Sequence, residues 1–215
     1  MKTKLTTALT IISLAMLTAC SGFQAVTGYI APVLTVQPTQ PGVSCDVYSI
    51  PDGTYIAPQG YYTVVNWDTM LAAGTYQFNT TLANFDTPNE SDTTLFQSFT
   101  PAEQAQIGVT NFALDCQGYL NIPETGEYYL TLGSDDGSEL LIDNAIVINM
   151  PQAQAFASQT AAINLTAGLH KINVLYFQGP ATNQGLELSW EGPSNQDLGL
   201  ITTIPASAFS HSGAE

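Results

Sequence analysis

The chain has no arginine, and its three lysines stand against 18 acidic residues in 215, a formal net charge of −15. Nucleic-acid binding draws most of its affinity from clustered Lys and Arg that displace phosphate counterions, so that class of function is excluded. The same shortage excludes a polybasic membrane-surface patch. Histidine is nearly as scarce. His170 sits in a strand-like run beside Lys171 and His211 lies near the C-terminus, and there is no His-Glu-x-x-His zinc motif or Gly-x-Ser-x-Gly nucleophile elbow. The chain is therefore read as a non-enzyme. A glycosidase pair among the 18 acids is not legible, because it depends on a carboxylate separation that sequence does not carry.

Long hydrophobic runs are missing too. Lys2 and Lys4 precede an apolar stretch, residues 5–17, that ends in small residues, the layout of an export signal over residues 1–19. It is too short and threonine-rich for a membrane span, which needs about 20 mainly apolar residues. Leu17-Thr18-Ala19-Cys20 resembles the bacterial lipobox. That resemblance implies cleavage before Cys20, acylation of that residue, and a lipid anchor in the cell envelope. The non-acidic Ser21 points, by the same resemblance, to the outer membrane rather than the inner. With the signal removed, Lys171 is the one basic residue facing all 18 acids, a surface that stays soluble and concentrates divalent cations. Cys45 and Cys116 are expected to pair in such a compartment, closing a loop of about 70 residues; two buried free thiols are the alternative.

Pro32, Pro38 and Pro41 make residues 20–42 read as a tether, with a first edge strand around residues 29–36 as an option, and residues 211–215 read as a frayed tail. Residues 43–210 then form one domain. Within it, apolar positions alternate with polar ones: Phe112, Leu114 and Cys116; Leu120 and Ile122; Tyr128, Leu130 and Leu132; Ile172, Val174 and Tyr176; Leu186, Leu188 and Trp190. Period two marks half-buried strands, and Asp143-Asn144 marks a tight hairpin. Repeated short strands with Gly, Pro and Asn turns predict an all-β antiparallel sandwich or barrel. One helical turn is predicted at Pro101 behind Thr100 as cap, and Trp67 and Trp190 are read as core residues in strand-like surroundings.

Asp135 and Asp136 lie between Gly133 and Gly137 and between two strand-like runs. Neighbouring strand residues point to opposite faces, so both carboxylates reach one ion only where the backbone departs from extended geometry, which the glycines permit. Calcium suits such a place because it takes carboxylate, carbonyl and water oxygens in flexible geometry, although the spacing is not that of a helix-loop-helix calcium loop. A solvated Asp-Asp-Gly turn is the plain alternative.

The runs Gly118-Tyr-Leu-Asn-Ile-Pro-Glu-Thr-Gly-Glu-Tyr-Tyr-Leu130, Ser134-Asp-Asp-Gly-Ser138, Leu165-Thr-Ala-Gly-Leu-His-Lys-Ile172, Gly185-Leu-Glu-Leu-Ser-Trp-Glu-Gly192 and Ile204-Pro-Ala-Ser-Ala208 resemble, in order, the later strands of the protective-antigen fourteen-kilodalton (PA-fourteen) domain family. Residues 112–209 carry the likeness; residues 43–111 fit by position and length. The resemblance implies an antiparallel β-sandwich of that type. From the family's adhesin branch it also implies two consecutive Asp residues, joined by a cis peptide, that bind a calcium ion contacting sugar hydroxyls. Asp135 and Asp136 match that pair. A second loop in that branch supplies an Asn side chain and carbonyls to the metal. Here it reads Gln178-Gly-Pro-Ala-Thr-Asn-Gln184. Gln178 stands in the place of that Asn, so Gln178 or Asn183 is the expected amide ligand, with Thr182 beside them facing the bound sugar. Phe156 is a candidate stacking aromatic, inward packing being its alternative. The expected function is calcium-dependent carbohydrate binding or adhesion by a lipid-anchored module. The alternative is a structural or protein-interaction lipoprotein whose Asp-Asp loop binds no sugar.

Overall fold

The computed structural model describes residues 26–30, 38–54, 64–91, 98–179, 183–194 and 200–213. Residues 1–19, expected as an export signal, Cys20, most of the expected tether and Thr182 lie outside the described residues.

Fourteen strands are described: β1 Val26–Ile30, β2 Gln40–Pro41, β3 Val43–Ser49, β4 Thr75–Leu82, β5 Asp86–Ser91, β6 Phe112–Ile122, β7 Gly126–Asp135, β8 Gly137–Ile142, β9 Ala145–Met150, β10 Ala157–Leu165, β11 Gly168–Gln178, β12 Asn183–Glu191, β13 Thr202–Thr203 and β14 Phe209–His211. Two short helices join them, α1 Trp67–Ala73 and α2 Pro101–Gln104. One sheet runs β1-β10-β7-β12-β13, with β5 also on β12. The other runs β2-β14-β6-β11-β8-β9, with β3 on β6 and β4 on β3. The long pairings are antiparallel, and only β1 lies parallel to its neighbour β10. This is the antiparallel β-sandwich that the alternation predicts.

The inner faces meet in one core. Phe112, Leu114, Leu120 and Ile122 of β6 and Ile172, Val174 and Tyr176 of β11 face Tyr128, Leu130 and Leu132 of β7 and Leu186 and Leu188 of β12. Each fully buried side chain of this size contributes roughly 1.5–3 kcal/mol relative to exposure. Cys45 sits directly opposite Cys116 in the β3–β6 register, and the two form a disulfide. Asp143 and Asn144 both adopt positive φ, 50° and 66°, as a two-residue hairpin of the primed type requires. Thr100 and Glu103 form a reciprocal capping box at the start of α2.

Three boundaries differ from expectation. Part of the segment read as a tether belongs to the sheets, because β1 and β2 pair with β10 and β14; an open sheet edge offers backbone groups that such short segments can satisfy without a core-facing period. Likewise His211 closes β14 against Gln40, so the ordered domain runs past residue 210. Trp67 is a core residue, but on a helix. Asn66 caps α1 by accepting from the Thr69 N–H at 2.9 Å, and Trp67 and Met70, one turn apart, bury the same face. That face covers Ala113, Leu175 and Phe177 on the outside of the second sheet, with the Trp67 and Phe177 rings 5.8 Å apart. Trp190 is half-buried against Tyr128.

Candidate metal and ligand site

Asp135 ends β7 and Gly137 opens β8, and these two strands belong to different sheets. The Asp pair therefore marks the point where the chain crosses the sandwich rather than a hairpin tip. The Asp135-Asp136 peptide is cis. Both carboxylates are turned to one backbone segment. Asp136 Oδ1 accepts from the Gln154 N–H at 2.9 Å and Asp135 Oδ2 from the Phe156 N–H at 3.2 Å. Asp136 Oδ2 accepts from the Gly179 N–H at 2.8 Å, which ties the pair to the loop after β11.

Beneath the pair lies a buried polar floor. Ser134 Oγ donates to the Asp136 carbonyl at 2.8 Å and lies 2.7 Å from Ser138 Oγ. The Tyr176 hydroxyl has the Asp135 carbonyl at 2.7 Å and Gln178 Oε1 at 2.6 Å, and shares its one proton between them. Ser134, Ser138, Tyr176 and Gln178 are all fully buried.

Gln178 thus corrects the expectation of an amide ligand at that position. Its oxygen is taken by Tyr176 and its Nε2 donates to the Asn183 carbonyl at 3.1 Å. The longer amide folds inward and joins the end of β11 to the start of β12 instead of pointing to the carboxylates. Gln178→Met is expected to leave the Tyr176 hydroxyl and the Asn183 carbonyl short of partners and to cost about 1–3 kcal/mol in urea unfolding. Asn183 itself is half-buried at the first position of β12. Gln184, which the sequence reading passed over, is fully buried. Its Nε2 donates to the Val109 carbonyl at 2.9 Å and its Oε1 has no partner among the described residues. The signal was there: a polar residue in phase with Leu186 and Leu188 on a core-facing strand.

Phe156 is half-buried. Its ring lies across Gly133 and Gly185, where added Cβ atoms would come within 2.7 and 2.9 Å of it. Neither glycine needs an unusual φ; both are small because an aromatic rests on the sheet there. Phe156 is therefore beside the Asp pair through its own N–H and outside the core, as a stacking residue must be.

Electrostatically the pair is uncompensated. Among the described residues no Lys or His reaches Asp135 or Asp136; His170 Nδ1 instead meets Asp143 Oδ2 at 2.7 Å. Burial raises Asp135 above the usual carboxylate value, against the opposing Phe156 N–H. Burial also raises Asp136 from 3.8 to about 6, with the Gly179 and Gln154 N–H groups opposing and Asp135 adding to it. Two buried carboxylates that repel each other, with no basic side chain beside them among the described residues, suit a divalent ion. Among the described residues no third His, Cys, Asp or Glu joins them, so the remaining ligands would be neutral oxygens.

A carboxyl with a folded pKa above its unfolded one favours the folded state when protonated. Its contribution is whole below about pH 3.8 and is lost as pH rises through about 6. In chelator, the stability difference between the protein and Asp136→Asn should therefore grow in favour of the protein by on the order of 2 kcal/mol from pH 7 to pH 4, after discount for residual solvent. Urea midpoints across that range check it.

The PA14 domain profile matches residues 70–199, more than half of the chain. No curated protein matches. Among solved structures, the PA14 domain of the MpAFP antifreeze protein superposes with a TM-score of 0.60 at 15% identity, over 86% of this chain and 98% of that one. The PA14 sugar-binding domain of an RTX adhesin gives 0.57 at 18%, over 81% and 100%. An anti-sigma factor domain-containing protein gives 0.58 at 18% over 81% of this chain, which spans 50% of that longer one. Two sheets crossed at an Asp-Asp step, and a profile that covers most of both, lead to one assignment: the chain belongs to the PA14 domain family.

Proposed function

We propose that this protein is a lipid-anchored, non-enzymatic module of the bacterial cell envelope that binds carbohydrate through a calcium ion held by Asp135 and Asp136. The observation that carries the reading is the pair itself: adjacent buried carboxylates with no basic side chain beside them among the described residues, aimed by three backbone N–H groups and flanked by half-buried Phe156. The sugar-binding description of the RTX adhesin domain, which shares the fold, supports the ligand class.

Asp135 and Asp136 would hold the ion, with neutral oxygens near Asn183 completing it. When bound, calcium supplies positive charge that vicinal sugar hydroxyls can ligate in place of water. The residues of the chain do the rest. The Gln154, Phe156 and Gly179 N–H groups fix the carboxylates, the Tyr176 hydroxyl on the Asp135 carbonyl and the Gln178 amide on the Asn183 carbonyl tie the Asp step to the start of β12, and Phe156 offers a face to the C–H side of a pyranose.

A glycan array read in millimolar calcium and again in chelator tests this. Binding to at least one glycan that chelator removes is expected. Calcium-dependent stability without any glycan signal would leave a structural or protein-interaction role. The anchor is tested separately by palmitate labelling, which Cys20→Ser should abolish.

A further inference from the structure

We propose that the outer face of the eight-stranded sheet carries a second, metal-independent groove for a neutral or amino-bearing glycan chain. α1 covers only one end of that face, over Ala113, Leu175 and Phe177. Beyond it the face stays open as a groove of about 470 Å³, within the size range of small-molecule sites.

The cross-strand register arrays its side chains in rows. Asn79, Asp46 and Asp115 stand side by side on β4, β3 and β6; Ser44, Gln117 and Asn173 form the next row; Tyr119 and Lys171 the one after. Asp46 and Asp115 are direct cross-strand partners, an arrangement of like charges that is unfavourable unless something offsets it. Here each carboxylate is held by a neighbouring amide. Asn79 Nδ2 donates to Asp46 Oδ1 at 2.8 Å and Asn173 Nδ2 to Asp115 Oδ1 at 2.6 Å. The acceptors are thus oriented before any ligand arrives.

An aromatic ring stands beside them. Tyr119 lines one side of the groove. Further along β3 and β4, outside the groove lining, Tyr48 and Tyr76 meet edge to face at 5.9 Å, with Tyr76 54% exposed. Carboxylates, amides and one ammonium, set beside the Tyr119 ring, match the alternating hydroxyl donors and acceptors and the C–H faces of a sugar chain. The facing carboxylates and the net charge of −15 disfavour uronic or sulfated chains.

This groove is separate from the Asp135–Asp136 site. Asn173, the lining residue of β11 nearest that site, lies five residues from Gln178, roughly 17 Å at about 3.4 Å per residue, and on the opposite face of the sheet. It does not depend on calcium, so it goes beyond the proposal above and can stand if that one falls.

The test is an array of neutral, amino-bearing and uronic glycans probed in chelator with the protein, with Asp135→Asn/Asp136→Asn, and with Tyr119→Ala and Asn173→Ala. Binding of a neutral or amino-bearing chain that persists in chelator and in the Asp variant, and drops at least about tenfold in the two groove variants, is expected. That drop corresponds to about 1.4 kcal/mol. Melting temperatures of the groove variants near that of the protein separate lost contact from lost folding. No binding in chelator, or binding that the groove variants retain, overturns the proposal, and preference for uronic chains overturns its ligand class.

Discussion

Replacing Asp135 and Asp136 together with Asn is expected to abolish any thermal response of the protein to calcium. A ligand at 100 times its dissociation constant stabilises the folded state by about 2.7 kcal/mol, several degrees in melting temperature for a domain of this size. Asn keeps the shape of each side chain and removes the charge, the term that opposes burial in the metal-free state and attracts a divalent ion in the bound one. Asn at 136 also offers one oxygen where two N–H groups, from Gln154 and Gly179, now find an acceptor each. The variant's own melting temperature in chelator is therefore the baseline against which its calcium shift is read. A rise in the parent protein that vanishes in the variant supports the site. A parent protein indifferent to millimolar calcium sinks the calcium reading, and with it the first glycan site but not the outer groove.

The second large effect concerns the disulfide. Cys45→Ala with Cys116→Ala is expected to cost about 4 kcal/mol in urea unfolding. The bridge joins residues 71 apart, and closing a loop of that length in the unfolded chain accounts for an effect of about that size in the chain-entropy picture. Both side chains are also part of the main core, so their removal leaves space behind. The consequence reaches function. β3 pairs with β6 through Cys45 opposite Cys116, and the same register sets Asp46 against Asp115 and Ser44 against Gln117 in the outer groove. A loss of less than about 1 kcal/mol would show that the unfolded chain is already compact around these strands.

Much of the fold is legible in residues 112–190. Alternation there is strict enough to name the inward positions of β6, β7, β11 and β12, and Asp143-Asn144 specifies its own turn because few residues tolerate two successive positive φ values. β1, β2 and α1 are not legible in the same way. Two of them are edge elements held by backbone pairing, which has no side-chain period. The third is a two-turn helix whose burial depends on a patch, Ala113, Leu175 and Phe177, contributed from far along the chain. The Asp pair is visible as composition, whereas its partners are backbone N–H groups and leave no mark in sequence.

Local chemistry alone determined the acidic character of the protein, the period-two core and the candidacy of Asp135 and Asp136, since each follows from residue type and spacing. Only the tertiary structure decided that the pair sits where the chain passes between sheets, that Gln178 turns inward to Tyr176, and that Asp46 and Asp115 face each other across two strands. Those three facts depend on register between segments tens of residues apart. Register is set by the packing of the whole core, so no short stretch of sequence contains it.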